Sequence, residues 1–145
     1  MKKSKTMLPE PIRKRLEKLD EILGRLEEIK SFPLEEFLKD WKLQDIALRN
    51  LQVAVECCLD IGTYLLSQNK KEIPDTYVGI IEKLEETSII DKDISLPLKE
   101  LVKLRNIIVH EYLSINYQKV YKHLQEISIF KKYAQAILHF LEKSK

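Results

Sequence analysis

The stretch Leu104-Arg105-Asn106-Ile107-Ile108-Val109-His110-Glu111-Tyr112 sets a guanidinium, a carboxamide, an imidazole and a phenol around an apolar run. An imidazole titrating near neutrality can take a proton from an RNA 2′-hydroxyl or give one to a leaving 5′-oxygen. A guanidinium beside it can hold the phosphate through charge-assisted hydrogen bonds. With the ribose as nucleophile, such a pair would cleave RNA without a metal and leave 2′,3′-cyclic phosphate ends. No metal pattern competes with this reading. His110, His123 and His139 lie at no tight ligand spacing, and there is no Cys/His or paired-carboxylate motif. Spacing alone also admits a plainer account, in which Arg105 and His110 offset the dipole at a helix C-terminus beside a tyrosine at a helix corner. His123 and His139 stand outside any constellation and read as surface or core-edge residues.

The helix carrying this segment imposes a geometric condition. Arg105 and His110 are five residues and so about 140° apart on an ideal helix, while Asn106 and His110 are four apart and share a face. Arg105 must reach around the helix, or the helix must distort, for both side chains to meet one substrate.

The rest of the chain reads as the scaffold for that helix. Its 145 residues, 44% hydrophobic and 33% charged with only three glycines, suit a single all-α domain with a real core and a charged surface. The expected division is a flexible basic N-terminal segment, 1–8, followed by one helical domain, 9–145. Periodicity predicts an up-and-down bundle of about five helices. The first runs from Pro9 to Lys30 on Ile12, Leu16, Leu19, Leu23, Leu26 and Ile29. The second runs from Pro33 to Asn69, with Leu34, Leu38, Trp41, Leu48, Val55, Leu59 and Leu66 on one face, interrupted by Asp45 and Gln52. A proline-led third helix spans Pro74 to Glu86, and a fourth starts at Asp91 or Ser95 and reaches Glu111. Asn116 caps the fifth, whose seam is Val120, Leu124, Ile127, Phe130, Ala134, Ile137 and Leu141.

Charge and cysteine usage narrow the function classes. A formal net charge of +2 gives a weak overall field, so affinity for nucleic acid would need a local basic patch. The only cysteines, Cys57 and Cys58, are adjacent within an apolar helical stretch, which suits buried thiols in a reducing compartment. Met1-Lys2-Lys3-Ser4-Lys5 is not followed by an apolar run, and no stretch is long enough to span a bilayer. A cytoplasmic protein is expected.

Arg105-Asn106, followed after three residues by His110-Glu111-Tyr112, resembles the Arg-X4-His-X-Tyr signature of HepT proteins in the HEPN superfamily. Leu51 to Gly62, with Gln52, Glu56 and Asp60 spaced by four, resembles the second-helix block of that family. Pro74-Asp75-Thr76-Tyr77 falls where the family has its proline-led third helix. The resemblance spans roughly Leu43 to Phe140. It implies an up-and-down HEPN bundle, a homodimer that joins the motifs of two chains in a cleft, and metal-independent RNA cleavage with no cofactor. It places Arg105 and His110 as catalytic residues and Asn106 and Tyr112 as further motif residues. It also implies a minimal nucleotidyltransferase antitoxin as partner, transferring AMP to Tyr112. Gln52, Glu56 and Asp60 are accessory candidates for the same cleft. A non-catalytic helical partner of such a transferase and a purely structural bundle remain as alternatives.

Overall fold

The computed structural model describes residues 8–144, so all but the last residue of the proposed N-terminal segment lies outside the described residues. Within them the chain forms seven α-helices and no strand. These are α1 (Glu10–Lys30), α2 (Leu34–Lys39), α3 (Trp41–Gln68), α4 (Tyr77–Glu86), α5 (Lys92–His110), α6 (Tyr117–Leu124) and α7 (Ser128–Lys143), with one 3-10 turn, Tyr112–Ser114, after α5. The all-helical bundle holds, with seven helices where about five are expected from periodicity.

Both extra helices come from breaks inside predicted ones. The expected helix from Pro33 to Asn69 divides at Asp40, whose backbone is extended and whose carboxylate accepts from the amides of Lys42 and Leu43 at 2.9 and 3.3 Å. A side chain that satisfies free amide donors this way starts a new helix. The break shifts the helical phase, so Leu34, Leu38 and Trp41 lie outside the core and Trp41 is 65% exposed. Phe37 is buried instead, against the rings of Tyr117 and Tyr121. Asp45 faces solvent, while Leu48, Val55, Leu59 and Leu66 are buried as expected. The predicted fifth helix likewise breaks between Leu124 and Ser128. Its seam survives the break: Val120, Leu124, Ile127, Phe130 and Ile137 are buried, and Ala134 and Leu141 partly so. The third helix starts at Tyr77, not Pro74, because the Thr76 hydroxyl caps it by accepting from the Gly79 amide at 3.0 Å.

Helices α1 and α3 pack antiparallel, as two cross-links show: Arg15 meets Asp60 and Arg25 meets Asn50, so one index rises as the other falls. Their buried stripes join α4, α5, α6 and α7 in one continuous core. Close approach of α4 to α3 depends on Gly62, where a Cβ would sit 2.8 Å from Leu84 Cδ1. The α7 helix is tied to α3 by fully buried Tyr133, whose hydroxyl donates to the Cys58 carbonyl at 2.7 Å. Both cysteines are free and buried, and burial raises Cys57 to about 11 and Cys58 well above the ordinary thiol value. No helix of the described residues is long and apolar enough to cross a membrane.

Candidate active site

Helix α5 fixes the motif by burying Leu98, Leu101, Val102 and Leu104, which turns the next two residues toward the α3 and α4 side. Arg105 Nε and Nη2 donate to Glu56 Oε2 at 3.1 and 2.9 Å, and Nη1 donates to Asn106 Oδ1 at 3.2 Å. Gln52 Nε2 donates to the same Glu56 oxygen at 3.2 Å. The guanidinium also lies over the Tyr77 ring, 4.9 Å from its centroid, an attractive cation–π geometry. These contacts leave the Arg105 side chain 12% exposed and that of Glu56 34% exposed. A guanidinium has five N–H donors in a rigid fork, so Glu56 and Asn106 together leave two for another acceptor.

His110 closes the last turn of α5: the Glu111 amide makes the final helical bond, to the Ile107 carbonyl at 2.8 Å, and the helix stops because the Glu111 backbone leaves the helical range. Beside it lies an open groove of about 300 Å³, lined by Asn106, His110 and Glu111 from the end of α5 and by Asp75, Thr76 and Tyr77 from the start of α4. The angular separation expected on the motif persists, since His110 lines the groove and Arg105 is not among its lining residues. Arg105 turns toward α3 and His110 toward the groove, and Asn106 and Tyr77 touch both: each contacts the guanidinium and each lines the groove.

The remaining sequence candidates separate. Gln52 and Glu56 join the Arg105 cluster. Asp60, one turn further along, pairs with Arg15 of α1 at 3.3 Å on the exposed surface. Tyr112 sits on the 3-10 turn beyond α5 with 69% exposure, next to Leu113 at 90%. His123 lies in another groove with Lys119, Lys122, Glu100 and Glu126, where burial lowers its pKa from the ordinary imidazole value. His139 lines a third cavity with Glu85, Asp91 and Lys143. Tyr77 is the site residue that periodicity did not single out. Its only sequence signal is an aromatic placed directly after a capping threonine in Pro74-Asp75-Thr76-Tyr77. Among the described residues there is no group of three or more His, Cys, Asp or Glu side chains arranged to hold a metal ion.

Comparison with known proteins now bears on this arrangement. The ribonuclease HepT-like family matches residues 19–137, which includes the whole Arg105 cluster and the groove. The chain belongs to the HepT-like ribonuclease family. It is 36% identical over 81 residues to the mRNA nuclease HepT of Shewanella oneidensis, a stretch covering 56% of this chain and 61% of that protein. It is 27% identical over 113 residues to the tRNA nuclease HepT of Aphanizomenon flos-aquae, covering 78% of this chain and 77% of that one. The fold matches a solved structure of the tri-AMPylated Shewanella oneidensis HEPN toxin in complex with MNT antitoxin, with a TM-score of 0.83 and 27% identity, covering 90% of this chain and 98% of that one. The shared fold therefore extends over most of this chain.

Proposed function

We propose that this HepT-like protein is a metal-independent endoribonuclease and the toxin of a toxin–antitoxin pair. His110 transfers the proton at the 2′-hydroxyl or the leaving 5′-oxygen, and Arg105 holds the scissile phosphate with its two uncommitted N–H donors. The observation that carries this reading is the joining of the two residues through Asn106 and Tyr77 at an open groove. Gln52 and Glu56 hold the guanidinium in place; Asp60 has no part in the site.

One chain supplies one motif histidine, whereas acid–base cleavage proceeds best with two proton-transfer groups. A two-fold dimer would supply His110 twice, and exposed Val109, Tyr112 and Leu113 around the end of α5 offer an apolar rim for that pairing. Modification of Tyr112 by a minimal nucleotidyltransferase antitoxin is the proposed off switch. Its hydroxyl is accessible, and an adenylyl group would add bulk and a phosphodiester charge near Arg105 and His110, opposing an incoming RNA phosphate. The free thiols of Cys57 and Cys58 suit a reducing compartment and support a cytoplasmic location.

The near-complete burial of Arg105 favours one other reading, a helical partner of the transferase that no longer cleaves. One experiment separates the two. Purified protein is incubated with defined single-stranded RNA in chelator, and the product ends are analysed beside His110→Ala and Arg105→Ala. Cleavage to 2′,3′-cyclic phosphate ends that disappears in both folded variants supports the nuclease. Cleavage retained by folded His110→Ala refutes the proton-transfer role, and an inert wild type that still binds a transferase supports the partner reading. Intact-mass analysis after co-expression with the transferase should show AMP additions that are lost in Tyr112→Phe.

A further inference from the structure

The part of the groove lining contributed by the start of α4 has a chemistry that phosphate binding and proton transfer do not use. Tyr77 lies three, four and seven residues before Ile80, Ile81 and Leu84, so it continues the buried stripe of α4 by one turn. Those three side chains are in the core, yet Tyr77 is 45% exposed and faces the groove. The Arg105 guanidinium covers part of the ring, and much of the rest stays open to solvent. Beside it stand the exposed Asp75 carboxylate, a hydrogen-bond acceptor, and Thr76, whose hydroxyl accepts from the Gly79 amide and keeps its own proton to donate. An open aromatic ring next to one acceptor and one donor is the equipment that recognises an unpaired nucleobase by stacking and by its polar edge.

Resting on the ribonuclease reading of the same groove, we propose that it is a single-nucleobase subsite in which Tyr77 stacks on the base of an unpaired nucleotide beside the scissile phosphate. The contact between Tyr77 and Arg105 links the two halves of substrate recognition, because the ring that seats the base touches the cation that seats the phosphate. A base in this groove has left its helical stack, so cleavage falls in loops or single strands. The weak overall charge is consistent with this division: at a net charge of +2, stacking supplies binding that a more basic protein would draw from phosphates.

The test uses the full chain and single-stranded 2′-O-methyl oligonucleotides, which lack the nucleophilic hydroxyl, so binding is read independently of cleavage. Fluorescence anisotropy compares an intact oligonucleotide with a set in which each position in turn is abasic. For wild type, one abasic position should weaken binding roughly ten-fold or more, in line with the usual worth of base–aromatic stacking. Tyr77→Leu should lose a similar factor on the intact strand and no longer distinguish the abasic one, whereas Tyr77→Phe should still distinguish them. Thermal melts of both variants check that the bundle is intact. A Tyr77→Leu protein that discriminates as well as wild type would show that the ring only braces Arg105 and would overturn the proposal. So would a wild type indifferent to every abasic position, or one that binds no strand. If the base-dependent binding is present but 2′-hydroxyl RNA is never cut, the subsite stands and the nuclease reading fails.

Discussion

Replacing Glu56 with alanine removes the acceptor to which Arg105 donates at 3.1 and 2.9 Å, and its consequence can be bracketed from exposure. Breaking a fully buried ion pair costs about 3–5 kcal/mol, because the remaining charge is left without a partner. Breaking an exposed one costs about 0.2–1 kcal/mol. Arg105, 12% exposed, belongs near the first limit, but Glu56 is 34% exposed, so water can reach the vacated position and solvate the guanidinium. Asn106 and the face of Tyr77 also remain to hold it. Glu56→Ala should therefore destabilise the fold by about 2 kcal/mol, or roughly 6 °C in Tm for a chain of this length. The pair itself is isolated by a double-mutant cycle with Arg105→Ala, read by urea denaturation at one fixed protein concentration. The double variant should be less destabilised than the sum of the singles by about 1–2 kcal/mol. Additivity to within about 0.3 kcal/mol would mean that the carboxylate contributes nothing to holding the guanidinium, and the account of how Arg105 is positioned would fail.

Other consequences are as definite. Tyr133→Phe deletes a fully buried hydroxyl and leaves the Cys58 carbonyl without that donor, so urea denaturation should show a loss of about 1–2 kcal/mol; an unchanged midpoint would mean that the bond does not link α7 to α3. Cys57, raised to about 11 from 9.0, should react with iodoacetamide at pH 8 about a hundred-fold more slowly than a model thiol, with full reactivity restored in denaturant; equal rates in the native protein would contradict its burial. His123 binds its proton more weakly in the folded chain than in the unfolded one, because burial lowers its pKa from 6.5. The stability it contributes is complete above about pH 6.5 and is lost as pH falls below that value, so a Tm-versus-pH curve should flatten there in His123→Gln; identical acid slopes in the two proteins would sink the assignment. Gly62→Ala sets the better helix propensity of alanine, about 1 kcal/mol, against a Cβ placed 2.8 Å from Leu84 Cδ1 and 3.3 Å from Ile80 Cγ2. The clash should dominate, and a variant more stable than wild type would show that α4 is free to move away.

Periodicity made the long elements legible because their apolar residues sit on one face with few interruptions. Leu19, Leu23, Leu26 and Ile29 on α1 and Phe130 and Ile137 on α7 are buried as their spacing predicts. It failed at Asp40, which the expected helix from Pro33 to Asn69 runs straight through, whereas the backbone uses its carboxylate to begin a new helix. In the site, Arg105, Asn106 and His110 were visible from their types and their place on one helix. The partnership of Glu56 with Arg105 crosses 49 positions and no local spacing encodes it. The same holds for Asp60, which shares a four-residue rhythm with Gln52 and Glu56 yet meets Arg15, because α1 packs along that part of α3. Tyr77 escaped because its contact with Arg105 is made by α5 packing against it and not by its own neighbours in sequence.

The short turn that carries Tyr112 begins where α5 has already closed its hydrogen-bond ladder, and none of its three residues is buried. A bulky group attached to that phenol would displace solvent and no packed side chain. Loading or removing it would alter the local charge just beyond the end of α5 while leaving the melting behaviour of the bundle almost untouched. The modification proposed for Tyr112 would therefore act on the folded molecule, with no passage through an unfolded one.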